Sequence, residues 1–320
     1  MNSNKIEIKN KTILVTGGSG FIGTAITKKL LKEGAIVKSL DTKDNTLIYE
    51  KDRLIKIKGS VLGDDDVKIA ISGCDYVIHL AAMLGVKKTE EERLDTLTTN
   101  ILGIKNILDS CVKEKVKKIV FSSSSEVYGE QTKFPISEKN PVHPKSIYAI
   151  TKLVGEEYLK AYKQNFGLDY SIVRYFNCYG PKQNNNFVMA GFINQALNSE
   201  SPIIYGSGKQ IRAFCYIDDI VEGTYLTLVN EKANSEIFNI GNDTQPISIK
   251  DLAEKIILLS NNNGNLTPKY IGLEKSDRTK EREIFKRFPN IEKAKNVLGY
   301  KPKVPLDVGI KKTIDWWCSN

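Results

Sequence analysis

The 320-residue chain is short of the residues that build metal clusters and disulfide frameworks, with five cysteines and two histidines. Cys74, Cys111, Cys178, Cys215 and Cys318 are scattered without CxxC spacing, so neither a zinc site nor a disulfide scaffold is expected. Most of them read as small core fillers in a reducing compartment. With only His79 and His143 available, no histidine-rich metal site is expected either. No apolar run approaches the ~20 residues that cross a bilayer, so no membrane partner is expected. The opening MNSNKIEIKNK lacks the apolar centre of a secretory signal, which points to the cytoplasm. Arginine is scarce too, at seven of the 47 basic residues. The net charge of +9 comes mostly from lysines spread along the chain, with small clusters such as Lys115, Lys117 and Lys118. A nucleic-acid groove would interleave basic blocks with aromatics, and none does so here. The expectation is therefore a solvated lysine surface and no nucleic-acid partner, with a positive field that suits a phosphate-bearing small substrate.

What is present is an ordinary globular composition, 41% hydrophobic and 27% charged. The N-terminal half alternates short apolar runs with amphipathic stretches, the pattern of βαβ units around a doubly wound parallel sheet. Strands are predicted over 12–15, 36–40, 54–57, 76–80, 118–122 and 170–175. Helices are predicted over 21–33, 64–71, 90–113 and 146–166. Beyond Phe176 the alternation breaks, segments shorten and loops lengthen. A smaller second domain is placed there, with the strands near 214–216 and 237–240 returning to the first. Asn261–Asn265 reads as an exposed loop, and Trp316–Trp317 as helix packing.

Between the first strand and helix stands Thr16-Gly17-Gly18-Ser19-Gly20-Phe21-Ile22-Gly23. Glycine permits a tight turn and lets backbone amides approach a pyrophosphate, and the helix start adds unpaired N–H groups. Gly23 allows close helix–sheet packing. Asp41 ends the second strand, where an acid accepts a ribose 2′-hydroxyl and repels a 2′-phosphate, so NAD is favoured over NADP.

Tyr148 and Lys152 are four apart at the start of a helix and share one face. Ser122–Ser125 closes the fifth strand, and ligands of open α/β sheets bind at carboxyl ends of strands. A tyrosine base near neutrality needs its pKa lowered by about 3 units, or about 4 kcal/mol. A positive charge ~4 Å away supplies about that much at an effective dielectric of ~20. Lys152 and an oxidised nicotinamide are the candidate sources, with Ser124 orienting the same substrate hydroxyl.

With those residues stand HLAA (79–82), TTN (98–100), FSSSSEVYG (121–129), YAITK (148–152), RYFNCYGPKQ (174–183) and IYGSGKQIRAFCYIDD (204–219). In this order they span most of the chain. The sequence resembles the extended short-chain dehydrogenase/reductases, specifically the NAD-dependent nucleotide-sugar epimerase/dehydratase family. The resemblance implies a Rossmann domain over 1–176 and a smaller nucleotide-sugar-binding domain over 177–320, to which segments near 210–242 are exceptions. It implies an NAD site at Gly17, Gly20, Phe21, Ile22, Gly23, Asp41, Ala81 and Lys152. It also implies catalysis by Tyr148, Lys152 and Ser124, hydride transfer from the sugar C4 giving a 4-keto intermediate, and a homodimer built on long helices near 90–113 and 146–166. Asn177, Arg212 and Arg287 resemble the residues that contact the substrate, the first two at its diphosphate. Two departures stand out: Ser60 follows Gly59 where an adenine-contacting Asp is frequent, and Lys182 stands where Arg is frequent.

Ser124-Ser125-Glu126 bears on the reaction. Ser125 in place of Asp argues against the usual 4,6-dehydratase triplet, and the trio looks closest to GDP-mannose dehydratases and UDP-glucuronate decarboxylases. Glu126 is a candidate base beside the 4-ketone, or a brace for the strand end. Epimerisation, dehydration, decarboxylation and net C4 oxidation share the first step and all stay open. So does a non-catalytic NAD-binding regulator, although its sign would be the loss of Tyr148, Lys152 or Ser124, and all three are present.

Overall fold

The computed structural model describes residues 5–44, 52–260, 266–272 and 283–319. β1 (Thr12–Thr16) shows why helices cover both faces of its sheet. Successive strand side chains point to opposite faces, and Ile13 and Val15 enter one buried cluster while Leu14 enters another. The same division repeats in β4 (Tyr76–His79), β5 (Lys118–Ser124) and β6 (Asp169–Tyr175), where Ile78, Val120 and Val173 lie on the first side and Val77, Ile119 and Ile172 on the second. Strands buried on both faces read as near-continuous apolar runs, which is the mark of a parallel sheet.

The first half also contains β2 (Ile36–Asp41), β3 (Leu54–Lys58), α1 (Phe21–Lys32), α2 (Asp64–Ile71), α3 (Val86–Glu91), α4 (Arg93–Leu97), α5 (Gly103–Lys113) and α6 (Ile147–Phe166). The second half runs β7 (Cys178–Tyr179), α7 (Val188–Leu197), β8 (Ile203–Tyr205), β9 (Ile211–Ala213), β10 (Cys215–Tyr216), α8 (Ile217–Val229), β11 (Glu236–Ile240), β12 (Pro246–Ser248), α9 (Ile249–Leu259), β13 (Lys269–Ile271), β14 (Lys286–Arg287), α10 (Glu292–Leu298) and α11 (Leu306–Ser319).

Seven strands form the central parallel sheet in the order β3-β2-β1-β4-β5-β6-β11. α2, α5 and α6 supply the apolar side chains of one face, and α1 and α8 those of the other. The order reverses between β1 and β4, and the crevice at that switch point, at the carboxyl ends of the strands, is where such sheets bind ligands. Among the described residues, three small sheets (β7 with β10, β12-β9-β14, and β8 with β13) follow β6 in the chain.

Several expectations need correction. The helix predicted over 90–113 is interrupted. Glu92 adopts a non-helical conformation between α3 and α4, and Thr98–Leu102 forms a π turn before α5. The cause of the wide turn is Asn100, whose side chain bonds both the N–H and the C=O of Met83 and the Thr151 hydroxyl. The strand near 214–216 pairs with Cys178–Tyr179 and not with the central sheet. Asn177 (φ +32) turns the chain off the sheet after β6, so β7 leaves with it and takes β10 as its partner. Lys118 is not part of a solvated surface, being 1% exposed, and its Nζ donates to the carbonyls of Thr227 (2.6 Å) and Asn230 (3.1 Å) at the end of α8. The two tryptophans sit edge to face on α11, and the loop expected at 261–265 lies outside the described residues. Among the described residues no helix is long and apolar enough to cross a membrane.

Candidate active site

The glycine turn is shaped by how closely two backbones approach. Gly17 has φ +69, and a Cβ there would stand 2.9 Å from the backbone nitrogen of Ala81. A Cβ on Gly23 would stand 2.0 Å from the Gly17 carbonyl. Neither position admits another residue without moving backbone. Beyond the turn, Gly20 is the N-cap of α1 and offers no side-chain cap, while the side chains of Phe21 and Ile22 pack inward on the core. The floor of the crevice is fixed by Thr16, whose hydroxyl meets His79 Nδ1 at 2.7 Å and accepts the Ala81 N–H at 3.2 Å. Burial, helped by Lys152, pushes His79 down to about 3, so this histidine stays neutral. Asp41 ends β2 and accepts the N–H groups of Ser19 and Lys43, each at 3.0 Å. Ser60, the departure noted above, donates its N–H to Asp66 at 2.8 Å.

Across the switch point, β5 ends in serines with distinct partners. Ser122 accepts from Lys152 Nζ at 3.4 Å, and Ser123 donates to the buried Glu156 at 2.5 Å. Ser124 caps a 3-10 turn by accepting the Glu126 N–H at 3.1 Å. Ser125 is buried at 1% exposure, whereas Ser124 is partly open. Ser146 caps α6 through the Ala149 N–H, which places Tyr148 in its first turn and Lys152 one turn on. Lys152 Nζ lies 5.7 Å from the Tyr148 ring centre and 5.0 Å from that of Phe121.

The electrostatics differ from the sequence argument. Burial pushes Lys152 down to about 7, which weakens it as a fixed positive charge. Burial, then the Glu126 carboxylate, push Tyr148 up, and the Ser124 hydroxyl and Arg287 only partly oppose them. The protein's own groups therefore keep Tyr148 protonated near neutrality. Lys152 alone thus does not supply the activation of Tyr148, which leaves the oxidised nicotinamide as the other expected source.

A second cluster lies beside the first. Arg287, 5% exposed, forms an ion pair with Glu126 and donates to Asn177 Oδ1 at 3.1 Å. Its Nε is buried without a hydrogen-bond partner among the described residues. Asn177 donates in turn to the Ala213 carbonyl at 2.9 Å. Arg212 stands in register with Arg287 across β9 and β14, yet turns elsewhere. It donates to the carbonyls of Ile211, Ile284 and Phe285 and reaches the Glu283 carboxylate. The structure thus joins Ser124, Glu126, Tyr148, Asn177 and Arg287 into one neighbourhood, and gives Arg212 to the segment just before Arg287.

Residues 13–241 match the sequence model described as the NAD dependent epimerase/dehydratase family. The chain belongs to this family. It is 35% identical over 316 residues to a putative UDP-glucose 4-epimerase of Methanocaldococcus jannaschii, covering 96% of this chain and 99% of the relative. It is 36% identical over 320 residues to a UDP-N-acetyl-alpha-D-glucosaminuronate decarboxylase of Bacillus cytotoxicus, covering 96% and 98%. Among solved structures it resembles a UDP-glucuronic acid 4-epimerase from Bacillus cereus in complex with NAD and UDP-4-deoxy-4-fluoro-glucuronic acid. That likeness has a TM-score of 0.85 and 30% identity, and covers 96% of this chain and 99% of the other.

The protein is accordingly an NAD-dependent nucleotide-sugar enzyme of the epimerase/dehydratase family. Its own geometry fits the cofactor. The cradle at Gly17 and Gly23 is one that any Cβ would fill, the start of α1 carries no side-chain cap, and Asp41 ends the strand beside it. Sequence reasoning gave no role of their own to Ser122, Arg174 and Asn100, although they stand in FSSSSEVYG, RYFNCYGPKQ and TTN, and it passed over Glu156 and Asn239, which lie in no motif. Arg174 and Glu156 form a buried bidentate pair behind Ser123, at 2.9 and 2.6 Å, and a charge pair that far inside leaves no local pattern in the sequence.

Proposed function

We propose that this family member takes a UDP-sugar and oxidises its C4 hydroxyl, with Tyr148 as the base, Ser124 orienting that hydroxyl and Lys152 holding the cofactor's ribose. Bound NAD supplies a hydride acceptor for C4 and a positive charge beside Tyr148. The observation that carries the reading is the convergence of Ser124, Tyr148 and Lys152 at the carboxyl end of β5, across the switch point from the glycine turn. Tyr148 takes the C4 hydroxyl proton as the ketone forms and returns it when the ketone is reduced. The glycine turn, Phe21, Ile22 and Ala81 offer backbone to the cofactor, and Asp41 offers its carboxylate to a ribose hydroxyl. Asn177 and Arg287 serve the substrate, and Arg212 holds the 283–285 segment that leads to Arg287. The relatives' names favour UDP as the nucleotide and 4-epimerisation as the outcome.

Decarboxylation is the second reading, favoured by the Glu126–Arg287 pair. A 4-keto uronic acid is a β-keto acid: its carboxyl carbon leaves as carbon dioxide, and the bonding electrons stay as an enolate at C5 and the C4 oxygen. A sugar carboxylate could exchange with Glu126 on the Arg287 fork. Nothing comparable awaits a neutral hexose. The test is NMR of products from UDP-glucose, UDP-glucuronate and their GDP, dTDP and CDP counterparts. A C4 epimer supports the first reading, and a pentose with carbon dioxide the second. No conversion of any sugar would overturn both.

The same reading includes residence in the cytoplasm and a homodimer. Exposed Leu94 (74%), Leu102 (47%) and Ile150 (40%) lie on α4, the 98–102 turn and α6, which adjoin one another and match the helices expected to pair.

A further inference from the structure

The Glu126–Arg287 pair joins two segments with no direct chain connection, and the structure shows what fixes them relative to each other. Glu126 sits in the 3-10 turn Ser125–Tyr128. Arg287 lies three residues before Asn290. Between them stands Asn239 of β11, which is fully buried. Its Oδ1 accepts from the Tyr128 hydroxyl at 2.7 Å. Its Nδ2 donates to the carbonyls of Ile136 (2.9 Å) and Asn290 (3.2 Å). Its backbone N–H is held by Glu138 at 2.7 Å. Ile136 in turn clasps the second segment, donating to Phe288 and accepting from Asn290.

Both N–H donors of the Asn239 amide are thus used and its oxygen accepts one bond, and each bond runs to a segment that carries or adjoins the Glu126–Arg287 pair. Tyr128 is tied down a second way, because Arg174 lies 4.7 Å over its ring and is itself locked to Glu156. A leucine of similar volume would suit the apolar neighbours of a sheet strand better. An amide here instead fixes distances, since buried polar groups are costly unless each bond is made.

We propose that Asn239 is a positioning residue that sets the spacing of Glu126 and Arg287, and through it the fate of the 4-keto sugar. It has no contact with Tyr148, Ser124 or Lys152 among the bonds described. The first step, oxidation at C4, feels it only through Glu126 and Arg287, which shift Tyr148 in opposite directions. The second step, whatever group is moved or returned at the ketone, depends on it. This rests on the proposed C4 oxidation, and the test separates the two.

The test compares the wild-type holoenzyme with Asn239→Ala and Tyr128→Phe, using UDP-glucose and UDP-glucuronate as probes. Tyr128→Phe keeps the donations of Asn239 to Ile136 and Asn290 and removes only its tie to the Glu126 turn. It remains informative if Asn239→Ala does not fold. Two quantities are read: reduced cofactor formed in the first turnover, by absorbance, and the fraction of turnovers that end in released 4-keto sugar. The expected result is first-turnover oxidation within about twofold of wild type and a released fraction raised about tenfold, the equivalent of about 1.4 kcal/mol in partition. Oxidation and product falling together at an unchanged fraction would reduce Asn239 to a structural role and overturn the proposal. Failure of the wild type itself to reduce cofactor with either probe would overturn the C4 reading, and this proposal with it.

Discussion

At the scale of single residues, the site separates groups that act through charge from groups that act through shape. Tyr148→Phe removes only the hydroxyl. It should lower kcat roughly 100- to 10,000-fold, the usual worth of a positioned acid–base group, with NAD content unchanged when the purified protein is assayed. Asp41→Ala should weaken NAD binding about 10- to 100-fold, as expected for hydrogen bonds to a charged group. NADP binding should fall far less, so the ratio of the two affinities from calorimetry checks the assignment. These residues were legible in the sequence because their chemistry is local: Gly17–Gly23 lie within one turn, and Tyr148 and Lys152 within one helical repeat. The Glu126–Arg287 pair was not, because its partners are 161 residues apart. Glu126 was recognised as a candidate without its counter-ion. Asn239, uncharged in the middle of a strand, left no mark at all.

Among the elements, buried polar groups decide where helices bend and end. Asn100 widens one helix into a π turn, which apolar periodicity does not show here because Thr96, Asn100, Ile104, Ile107 and Leu108 are buried at ordinary three- and four-residue spacing. Asn100→Ala would strand the Met83 N–H and C=O, and should cost about 1–3 kcal/mol in chemical denaturation. Lys118 caps the last turn of α8, where a cation and carbonyl oxygens are well matched. In the sequence it was one more member of a lysine cluster, and nothing marked it as inward-facing. Burial pushes Lys118 down to about 7, against the pull of Asp169 and Glu231. A lysine pKa lowered by folding means that the unfolded chain binds the extra proton between about pH 7 and 10. Its burial penalty is thus full below pH 7 and lifts as pH rises through that window. Lys118→Met should flatten the rise in stability between pH 7 and 10 by something on the order of 3 kcal/mol. The check is urea denaturation of both proteins across that range.

For the whole molecule, the alternation of strands and helices was read correctly as a doubly wound sheet, because strands buried on both faces announce themselves as apolar runs. The routing of the second half was harder to read, since β7, β9, β10 and β14 are only two or three residues long, too short for periodicity. If the exposed apolar side chains on α4, the 98–102 turn and α6 form the homodimer surface, Leu102→Glu with Ile150→Glu should halve the mass seen by sedimentation at micromolar concentration. Finally, the buried cluster on the α1 and α8 side of the sheet is unbroken from Ile13 through Phe238 to Ile314, and Tyr300 lies within packing distance of Gly223 on α8. Such continuity means that cooperativity belongs to the full length of the chain. A fragment stopped after Gly241 would keep every strand of the central sheet and still lose the cover over α8. It should be insoluble, whereas the intact chain should melt in a single calorimetric transition.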